Sequence, residues 1–239
     1  ERGVLRVAMT SQDFHPFYAQ NPELGTYGLD IDLATDVAEH LGVNLDLRRE
    51  AKNWDEVCDM VADGRADVAI SGLSVTLERA QRLLFTKPYL VLRPALVMHR
   101  QAVVRSGEAP LKMLRRGAGT LATGLGSAYA EYALEDFPRA PRVLLPSGRL
   151  ALEAMLARRV YAAFVNEITL RIWLDERPEL GLYIQSIPAP ERLDRLAMAV
   201  PWRSTHLCAW LNLFLDWRGE TFTVDSLMRR YPLPENLPP

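Results

Sequence analysis

Short apolar runs alternate with amphipathic segments along most of the chain. The apolar runs have the length of buried strands, and most are followed by a stretch with apolar residues three or four positions apart. One such stretch places Ala34, Val37, Ala38 and Leu41 on a single helical face. This alternation predicts an α/β fold with mixed sheets flanked by helices. The predicted strands lie at 4–9, 43–47, 68–70, 120–123, 143–145, 161–165 and 183–187.

Residues with capping preferences mark the ends of the predicted helices. Asp30 is the expected N-cap of the first helix, and Gly42 is expected to end it. Asn53 or Asp55 is expected to open the helix that carries Trp54. These signals set helix boundaries that periodicity alone leaves open.

Two extended stretches and one polar segment interrupt the alternation. Residues 90–98 predict one continuous strand, stiffened by Pro94, and residues 196–200 predict another. Residues 101–119 are polar and contain glycine, which favours a loop with one helical turn. Residues 205–218 predict a long helix.

A hydroxyl-rich loop at 71–76 follows the predicted strand 68–70. Thr76 is the expected N-cap of the next helix, so Arg79 falls at the third helical position. A cation there opposes the helix dipole, at a cost of a few tenths to about 1 kcal/mol. A bound anion would remove that cost.

The side chains of this loop suit a carboxylate. The Ser71 and Ser74 hydroxyls, the backbone around Gly72 and the forked Arg79 guanidinium together predict a carboxylate receptor. The alternative is that Arg79 pairs with Glu78 or a surface acid while the serines cap turns.

Charge and length exclude several classes of protein. The net charge of -2 argues against a nucleic-acid or anionic-membrane partner. No apolar run approaches the roughly 18 residues that span a bilayer. Because the sequence begins at Glu1 without a methionine, we expect a mature secreted form with its signal peptide removed, or an excised domain.

The cysteines and histidines give no support for a metal or a cofactor. Cys58 and Cys208 are the two cysteines, and Cys58 shares a helical face with Val57 and Val61. We therefore predict a small core residue and not a disulfide. The four histidines are widely separated: His15, His40, His99 and His206.

Five segments, taken in order, carry a resemblance that covers nearly the whole chain. They are residues 3–7 with the Pro16-Phe17 pair, 27–32, 64–79, 85–89 and 151–167. This series resembles the extracytoplasmic solute-binding proteins of family 3, which deliver polar amino acids to ABC transporters and have the type 2 periplasmic-binding-protein fold. The resemblance implies two lobes, 1–92 plus 195–239 and 93–194, joined by a two-strand hinge near Arg93 with a ligand cleft between them.

The resemblance also implies roles for particular residues. The serine and threonine loop with Arg79 would hold the ligand carboxylate, and Phe14 and Trp54 would be aromatic walls on opposite sides of the ligand. Asp30 and Asp32 resemble paired catalytic carboxylates, but we assign them to the start of a helix.

Two positions depart from the family pattern. Gly126 stands where a threonine usually adds a hydroxyl to the ligand carboxylate, and Ser127 or backbone N–H groups would have to substitute. Asn166 stands where the family carries the aspartate that takes the ligand ammonium. The resemblance therefore predicts the fold more firmly than it predicts an α-amino acid as the ligand. Carboxylates without an α-ammonium group are also candidate ligands. Arg149, also near a helix start, either reads a second carboxylate or is simply exposed.

The function implied is binding of a small carboxylate-bearing solute in the periplasm or another extracytoplasmic space, by a monomer that closes on its ligand. A membrane transporter permease or a sensor module would read the closure. Two other classes stay open: an enzyme similar to cyclohexadienyl dehydratases, with His15 and Glu167 as the only plausible acid or base, and an interaction module without a ligand.

Overall fold

The chain folds into two units. The structure, a computed structural model, describes residues 3–21, 25–188 and 192–232. One unit contains residues 1–91 and 195–239, and the other contains residues 92–194. Within the described residues each unit has a five-stranded mixed sheet with helices packed on it, which confirms the predicted fold class.

The elements are numbered in chain order. The strands are β1 (Val4–Thr10), β2 (Ala19–Asn21), β3 (Gly25–Tyr27), β4 (Asn44–Ala51), β5 (Val68–Ala69), β6 (Leu83–Phe85), β7 (Leu90–Leu92), β8 (Pro94–His99), β9 (Leu121–Gly124), β10 (Arg142–Leu145), β11 (Ala162–Asn166), β12 (Ile184–Pro188), β13 (Asp194–Leu196) and β14 (Ala199–Pro201). The helices are α1 (Leu29–Leu41), α2 (Trp54–Ala62), α3 (Leu77–Ala80), α4 (Arg100–Ser106), α5 (Pro110–Arg115), α6 (Ala128–Asp136), α7 (Gly148–Leu156), α8 (Glu167–Glu176), α9 (Thr205–Arg218) and α10 (Val224–Arg230).

The first unit's sheet has the strand order β4-β1-β5-β14-β6. β1 runs parallel to β4 and β5, whereas β14 is antiparallel to β5 and β6. Helix α2 packs Val57, Cys58 and Val61 against Ala8 and Ala69 of this sheet. The cysteine is fully buried and unpaired, as the sequence predicts. The parallel strands β1 and β5 end at the same edge, where the loop after β5 begins.

The second unit's sheet has the order β10-β9-β11-β8-β12. β9, β10 and β11 are parallel, and β8 is antiparallel to β11 and β12. Successive residues of a strand face opposite sides of a sheet. Ala163 and Val165 accordingly pack with α7 and α8, while Ala162 and Phe164 pack with α6. Burial on both faces explains why these strands read as unbroken apolar runs.

The segment 101–119 is more helical than its composition predicts. Two helices, α4 and α5, replace the expected loop with one turn. Gly107, with φ of 62°, ends the first, and Pro110 begins the second at a position where its missing N–H costs nothing. The prediction was wrong because two short helices leave too little periodicity to detect.

Both long extended stretches are divided in the structure. Residues 90–98 form β7 and β8, which are separated at Arg93. The Arg93 N–H donates to Glu167 Oε1 at 2.6 Å, and the Arg93 carbonyl accepts the Glu167 N–H. Residues 196–200 contribute to β13 and β14, and β13 pairs with β7.

Asp30 is not the cap of α1. Gly28 occupies the N-cap position with φ of 129°, and a Cβ there would lie 2.3 Å from the Phe17 carbonyl oxygen. Only glycine fits this backbone and this contact. Asp30 is the second residue of α1 and is completely buried.

Candidate functional site

The loop at residues 71–76, called the serine loop below, follows β5 at the carboxyl edge of the first sheet. Thr76 caps α3 by accepting the Arg79 N–H at 3.2 Å, as predicted. The Arg79 side chain folds back over the loop, where its Nη1 donates to the Ser74 carbonyl at 3.2 Å. Arg79 is only 5% exposed.

Arg79 forms an ion pair across to α2. Its Nη2 lies 3.1 Å from Asp55 Oδ1, and the Asp55 side chain is 61% exposed. A buried guanidinium needs a compensating anion, and here part of that compensation comes from a carboxylate in contact with water. Asp55 therefore keeps much of its contact with water in this ion pair.

Ser71 does not present its hydroxyl to a solute. The residue is fully buried, and its Oγ donates to the Tyr18 hydroxyl at 3.0 Å and accepts the Thr10 N–H at 3.4 Å. Tyr18 in turn is hydrogen-bonded to Thr10 Oγ1 at 2.7 Å. The prediction of a ligand-facing Ser71 hydroxyl was therefore wrong, because the hydroxyl joins the serine loop to β1.

The Gly72 N–H is also committed inside the first unit. It donates to Asp30 Oδ2, and Asp30 Oδ1 accepts the Tyr89 hydroxyl at 2.9 Å. Burial raises the pKa of Asp30 to about 7, while these two hydrogen bonds oppose the rise. Gly72 has φ of 54°, and a Cβ there would lie 2.8 Å from Phe14 Cε1. Asp30 thus fixes the bend of the serine loop, and this N–H is not free to bind an anion.

Ser74 is the serine whose hydroxyl remains available. Among the described residues its Oγ has no hydrogen-bond partner, although its backbone is held by Arg79 and by a bridge to Leu196. The hydroxyl and the Arg79 guanidinium belong to one loop and helix start.

Phe14 and Trp54 do not face each other across a gap. Their ring centroids are 5.3 Å apart at 80°, which is direct edge-to-face contact, and Phe14 also stacks on Phe17. The Trp54 Nε1 donates to the Ser71 carbonyl at 2.8 Å. The prediction of two opposed walls is therefore corrected: the rings form one aromatic corner beside the serine loop.

In the second unit, the loops after β9, β10 and β11 meet at the carboxyl edge of the sheet. A Cβ on Gly124 would lie 3.4 Å from the Gly148 backbone nitrogen, and a Cβ on Gly148 would lie 3.3 Å from Val165 Cγ1. Glycine at these positions lets the three loops approach closely. Ligands of open α/β sheets bind at such an edge.

The loop 124–127 explains one departure from the family pattern. Gly126 has φ of 63°, a conformation in which a β-branched threonine would be strained. Ser127 is the N-cap residue of α6 but makes no side-chain cap; its hydroxyl donates instead to the Gly124 carbonyl at 2.7 Å. The expected Ser127 hydroxyl donor is therefore used to close its own loop.

Asn166 ends β11 and caps α8. Its Oδ1 accepts the Thr169 N–H at 2.7 Å, and the side chain is partly exposed. Arg149, by contrast, is paired with Glu176 at 2.6 Å on the surface of the second unit. It is therefore engaged by an acid of its own unit.

The residues expected at the site thus divide between the two units. The first unit holds Phe14, Trp54, Ser71, Gly72, Ser74 and Arg79, and the second holds Gly126, Ser127 and Asn166. Sequence reasoning missed Asp55 as the counter-ion of Arg79 and Asp30 as the support of Gly72. A signal existed for Asp30, because it shares the apolar face of α1 with Ala34 and Val37.

The described residues contain neither a metal-binding group of side chains nor a membrane-spanning helix. No group of three or more histidine, cysteine, aspartate or glutamate side chains there has an arrangement that would hold a metal ion. Among the same residues, no helix combines the length and the apolar character that a membrane crossing requires.

Comparison with known proteins connects this geometry to a family. The family model of bacterial extracellular solute-binding proteins, family 3, matches residues 5–234. An ABC transporter arginine-binding protein of Escherichia coli is 24% identical over 76% of this chain and 71% of its own length. A lysine complex of an ABC-transporter binding component from Wolinella succinogenes shares the fold, with a TM-score of 0.79, 23% identity and coverage of 98% of each chain.

A shorter segment of the chain is similar to part of an enzyme. Cyclohexadienyl dehydratase of Pseudomonas aeruginosa is 42% identical over 90 residues, which are 38% of this chain. The matched part spans 32% of that enzyme.

Proposed function

Because the chain belongs to the bacterial extracellular solute-binding proteins of family 3, we propose that it binds a small carboxylic acid outside the cytoplasm and presents it to a membrane transporter. The solute carboxylate binds Arg79 and the Ser74 hydroxyl, and the aromatic corner of Phe14 and Trp54 packs on the rest of the molecule.

The observation that carries this proposal is the state of Arg79. Arg79 is 5% exposed, its guanidinium is paired with a largely exposed carboxylate, and the same loop carries the Ser74 hydroxyl, which has no hydrogen-bond partner among the described residues. A guanidinium fork matches a carboxylate with two parallel hydrogen bonds.

Thermal unfolding against a panel of amino acids, oxo acids, hydroxy acids and dicarboxylates tests the proposal. A solute at one hundred times its dissociation constant should stabilise the protein by about 2.7 kcal/mol. We expect Arg79→Ala to abolish the response and Arg79→Lys to weaken it, because lysine keeps the charge but loses the fork.

Arg82→Ala is the matched control. Arg82 is the second residue after α3, its side chain is 52% exposed, and it pairs with Asp59 at 2.8 Å. A response that survives Arg79→Ala, or that Arg82→Ala removes equally, would contradict the assignment. Circular dichroism of each variant without solute separates lost binding from lost folding.

A second candidate function, dehydration of a carboxylated ring, is favoured by the match to cyclohexadienyl dehydratase. Such chemistry needs a general acid or base. Burial lowers the pKa of His15 to about 4, which leaves a neutral ring, and Glu167 Oε1 accepts the Arg93 N–H at 2.6 Å. Neither group is placed to transfer a proton freely, so we favour binding. Release of phenylpyruvate from prephenate, or of phenylalanine from arogenate, would reverse this choice.

A further inference from the structure

The strands β9, β10 and β11 of the second unit begin at the amino edge of their sheet, opposite the carboxyl edge where the loops after these strands meet. Arg142 is the first residue of β10, and Arg158 and Arg159 lie between α7 and β11. β8 runs antiparallel to β11, so Arg100, which follows β8, lies at the same edge. Neighbouring strands are about 4.8 Å apart, so the four strand ends from β10 to β8 span about 14 Å.

This edge of the second unit is strongly basic. The segments that lead into or out of it, 99–120, 137–142 and 157–161, contain nine arginine or lysine residues and one acid, Glu108. The net charge of -2, from which the sequence predicts no anionic-membrane partner, averages over this asymmetry. All nine cations are exposed, and the surface that they form is called the basic face below: Arg100, Arg105, Lys112, Arg115, Arg116, Arg139, Arg142, Arg158 and Arg159.

Most cations of the basic face have no carboxylate beside them. Arg116 and Lys112 share Glu108, and among the described residues the other seven arginines of the face form no ion pair. In the first unit, by contrast, eight arginines each pair with a carboxylate: Arg6, Arg48, Arg49, Arg65, Arg79, Arg82, Arg218 and Arg230. Like charges without counter-ions repel one another, and an anionic surface bound to them would relieve that repulsion.

Two donors of the basic face meet without an acceptor between them among the described residues. His99 Nδ1 accepts the Gln101 N–H at 3.2 Å, so the proton of the neutral ring is on Nε2. This Nε2 lies 3.4 Å from Arg158 Nη2, which donates one proton to Gln101 Oε1 and has another to offer. Burial and the charges of Arg158 and Arg105 lower the pKa of His99, which keeps the ring neutral. A phosphate oxygen can accept from both nitrogens.

Exposed apolar side chains lie beside these cations. Val104 lies one turn after Arg100 on α4 and is 76% exposed. The Arg100 N–H donates to the Tyr183 carbonyl at 2.7 Å, which places Tyr183 and the 76% exposed Leu182 next to the start of α4. A hydrophilic polyanion such as a nucleic acid offers nothing to aliphatic side chains. The interfacial layer of a bilayer accepts them together with arginine.

From this arrangement we propose that the basic face binds the phosphate headgroups of an anionic phospholipid membrane, with Val104, Leu182 and Tyr183 in contact with the interfacial layer. A guanidinium fork matches a phosphate with two parallel hydrogen bonds, and each arginine near an anionic bilayer adds to the attraction. The inference concerns the second unit alone and does not rest on the proposed solute binding.

Flotation of the full chain with lipid vesicles tests the proposal. The vesicles contain phosphatidylcholine alone or phosphatidylcholine mixed with about one third phosphatidylglycerol. Each is measured at about 0.01 M and about 0.15 M salt, between which the Debye length falls from about 30 Å to about 8 Å. We expect binding to the anionic vesicles and not to the neutral ones, and weaker binding at the higher salt.

Removal of two charges from the basic face should weaken this binding. We expect a loss of roughly ten- to thirty-fold for Arg142→Gln/Arg159→Gln. Neither side chain has a hydrogen-bond partner among the described residues, so the exchange leaves the fold intact. Arg203→Gln/Arg229→Gln is the matched control, because it removes two exposed charges from the first unit. The control should change binding by less than about two-fold.

Replacement of the apolar residues separates a membrane from other polyanions. Val104→Ser/Leu182→Ser should weaken vesicle binding by about ten-fold or more, because both side chains are expected to leave water on binding. Leu213→Ser, at a 66% exposed position of the first unit, is the control and should have no effect. Unchanged vesicle binding by Val104→Ser/Leu182→Ser would favour a hydrophilic polyanion and overturn the membrane assignment.

Three other results would also overturn the proposal. The first is the absence of binding to anionic vesicles at the lower salt, and the second is an equal loss in both arginine double variants. The third is release from the vesicles by inorganic phosphate at matched ionic strength, because it would make the His99 and Arg158 pair a site for free phosphate. Circular dichroism checks the fold of each variant, and the lipid and salt dependence of the unaltered chain decides where a variant does not fold.

Discussion

Replacement of the buried acid Asp30 by asparagine makes a prediction with a definite sign. The structure places Asp30 at 0% exposure, with Gly72 N–H and the Tyr89 hydroxyl as its partners. An asparagine keeps the contact with Gly72, because its oxygen accepts that N–H, and reverses the contact with Tyr89, because its nitrogen donates to the Tyr89 oxygen as a protonated carboxyl would. The substitution therefore removes the ionisation and little else.

The sign follows from the direction of the pKa shift. Burial raises the pKa of Asp30 to about 7 from an ordinary value of 3.8. The folded state thus holds a proton that the unfolded chain has lost, and the wild type loses stability as the pH rises through this window. The full shift corresponds to about 4 kcal/mol, of which roughly 2 to 3 kcal/mol falls between pH 5 and pH 8.

Urea unfolding of both proteins at pH 5, 6, 7 and 8 measures this quantity. The free energy of unfolding of Asp30→Asn should rise relative to the wild type by roughly 2 to 3 kcal/mol across the series. Asp63→Asn is the control, because Asp63 has a 65% exposed side chain, and its difference should stay within about 0.5 kcal/mol. If the difference in free energy of unfolding between Asp30→Asn and the wild type stays constant or falls as the pH rises, Asp30 does not retain its proton in the folded state.

Two further predictions concern backbone strain and thiol access. Gly72→Ala should destabilise the protein by more than Gly25→Ala. Both glycines have positive φ, but only a Cβ at position 72 would contact Phe14. Chemical denaturation should measure the extra cost as about 1 kcal/mol or more. Cys208 should react with a disulfide reagent under native conditions while Cys58, whose pKa burial raises to about 11, should not. Mass spectrometry of labelled peptides checks the order, and faster labelling of Cys58 would contradict the core packing.

Local signals were sufficient for most elements of the fold. The helix 205–218 and the caps Asn53 and Thr76 follow the sequence prediction, because each depends on signals close by in the sequence. The division of residues 90–98 at Arg93 was not predictable in this way. Its cause is Glu167, which is 74 residues away in sequence and binds the Arg93 backbone.

The candidate site was harder to predict than the fold, because the sequence shows which residues bear donors but not which donors are already used. Ser71 and Ser74 look equivalent in the sequence. In the structure Tyr18, 53 residues away, engages the Ser71 hydroxyl, whereas the Ser74 hydroxyl remains available. The same holds for Gly72, whose N–H is taken by Asp30 from 42 residues away.

The hydrogen bonds therefore divide the residues at the serine loop into two groups, those that hold the loop in place and those that carry the candidate donors. Asp30 and Tyr18 hold the loop by using the donors of Gly72 and Ser71. Arg79 keeps a guanidinium whose described carboxylate partner, Asp55, can return to water. A solute-binding site needs both groups of residues, because a carboxylate is bound tightly by donors that are held in place before it arrives. Under the proposed function, Arg79 and Ser74 bind the solute, and Asp30 and Tyr18 hold the loop that carries them in position.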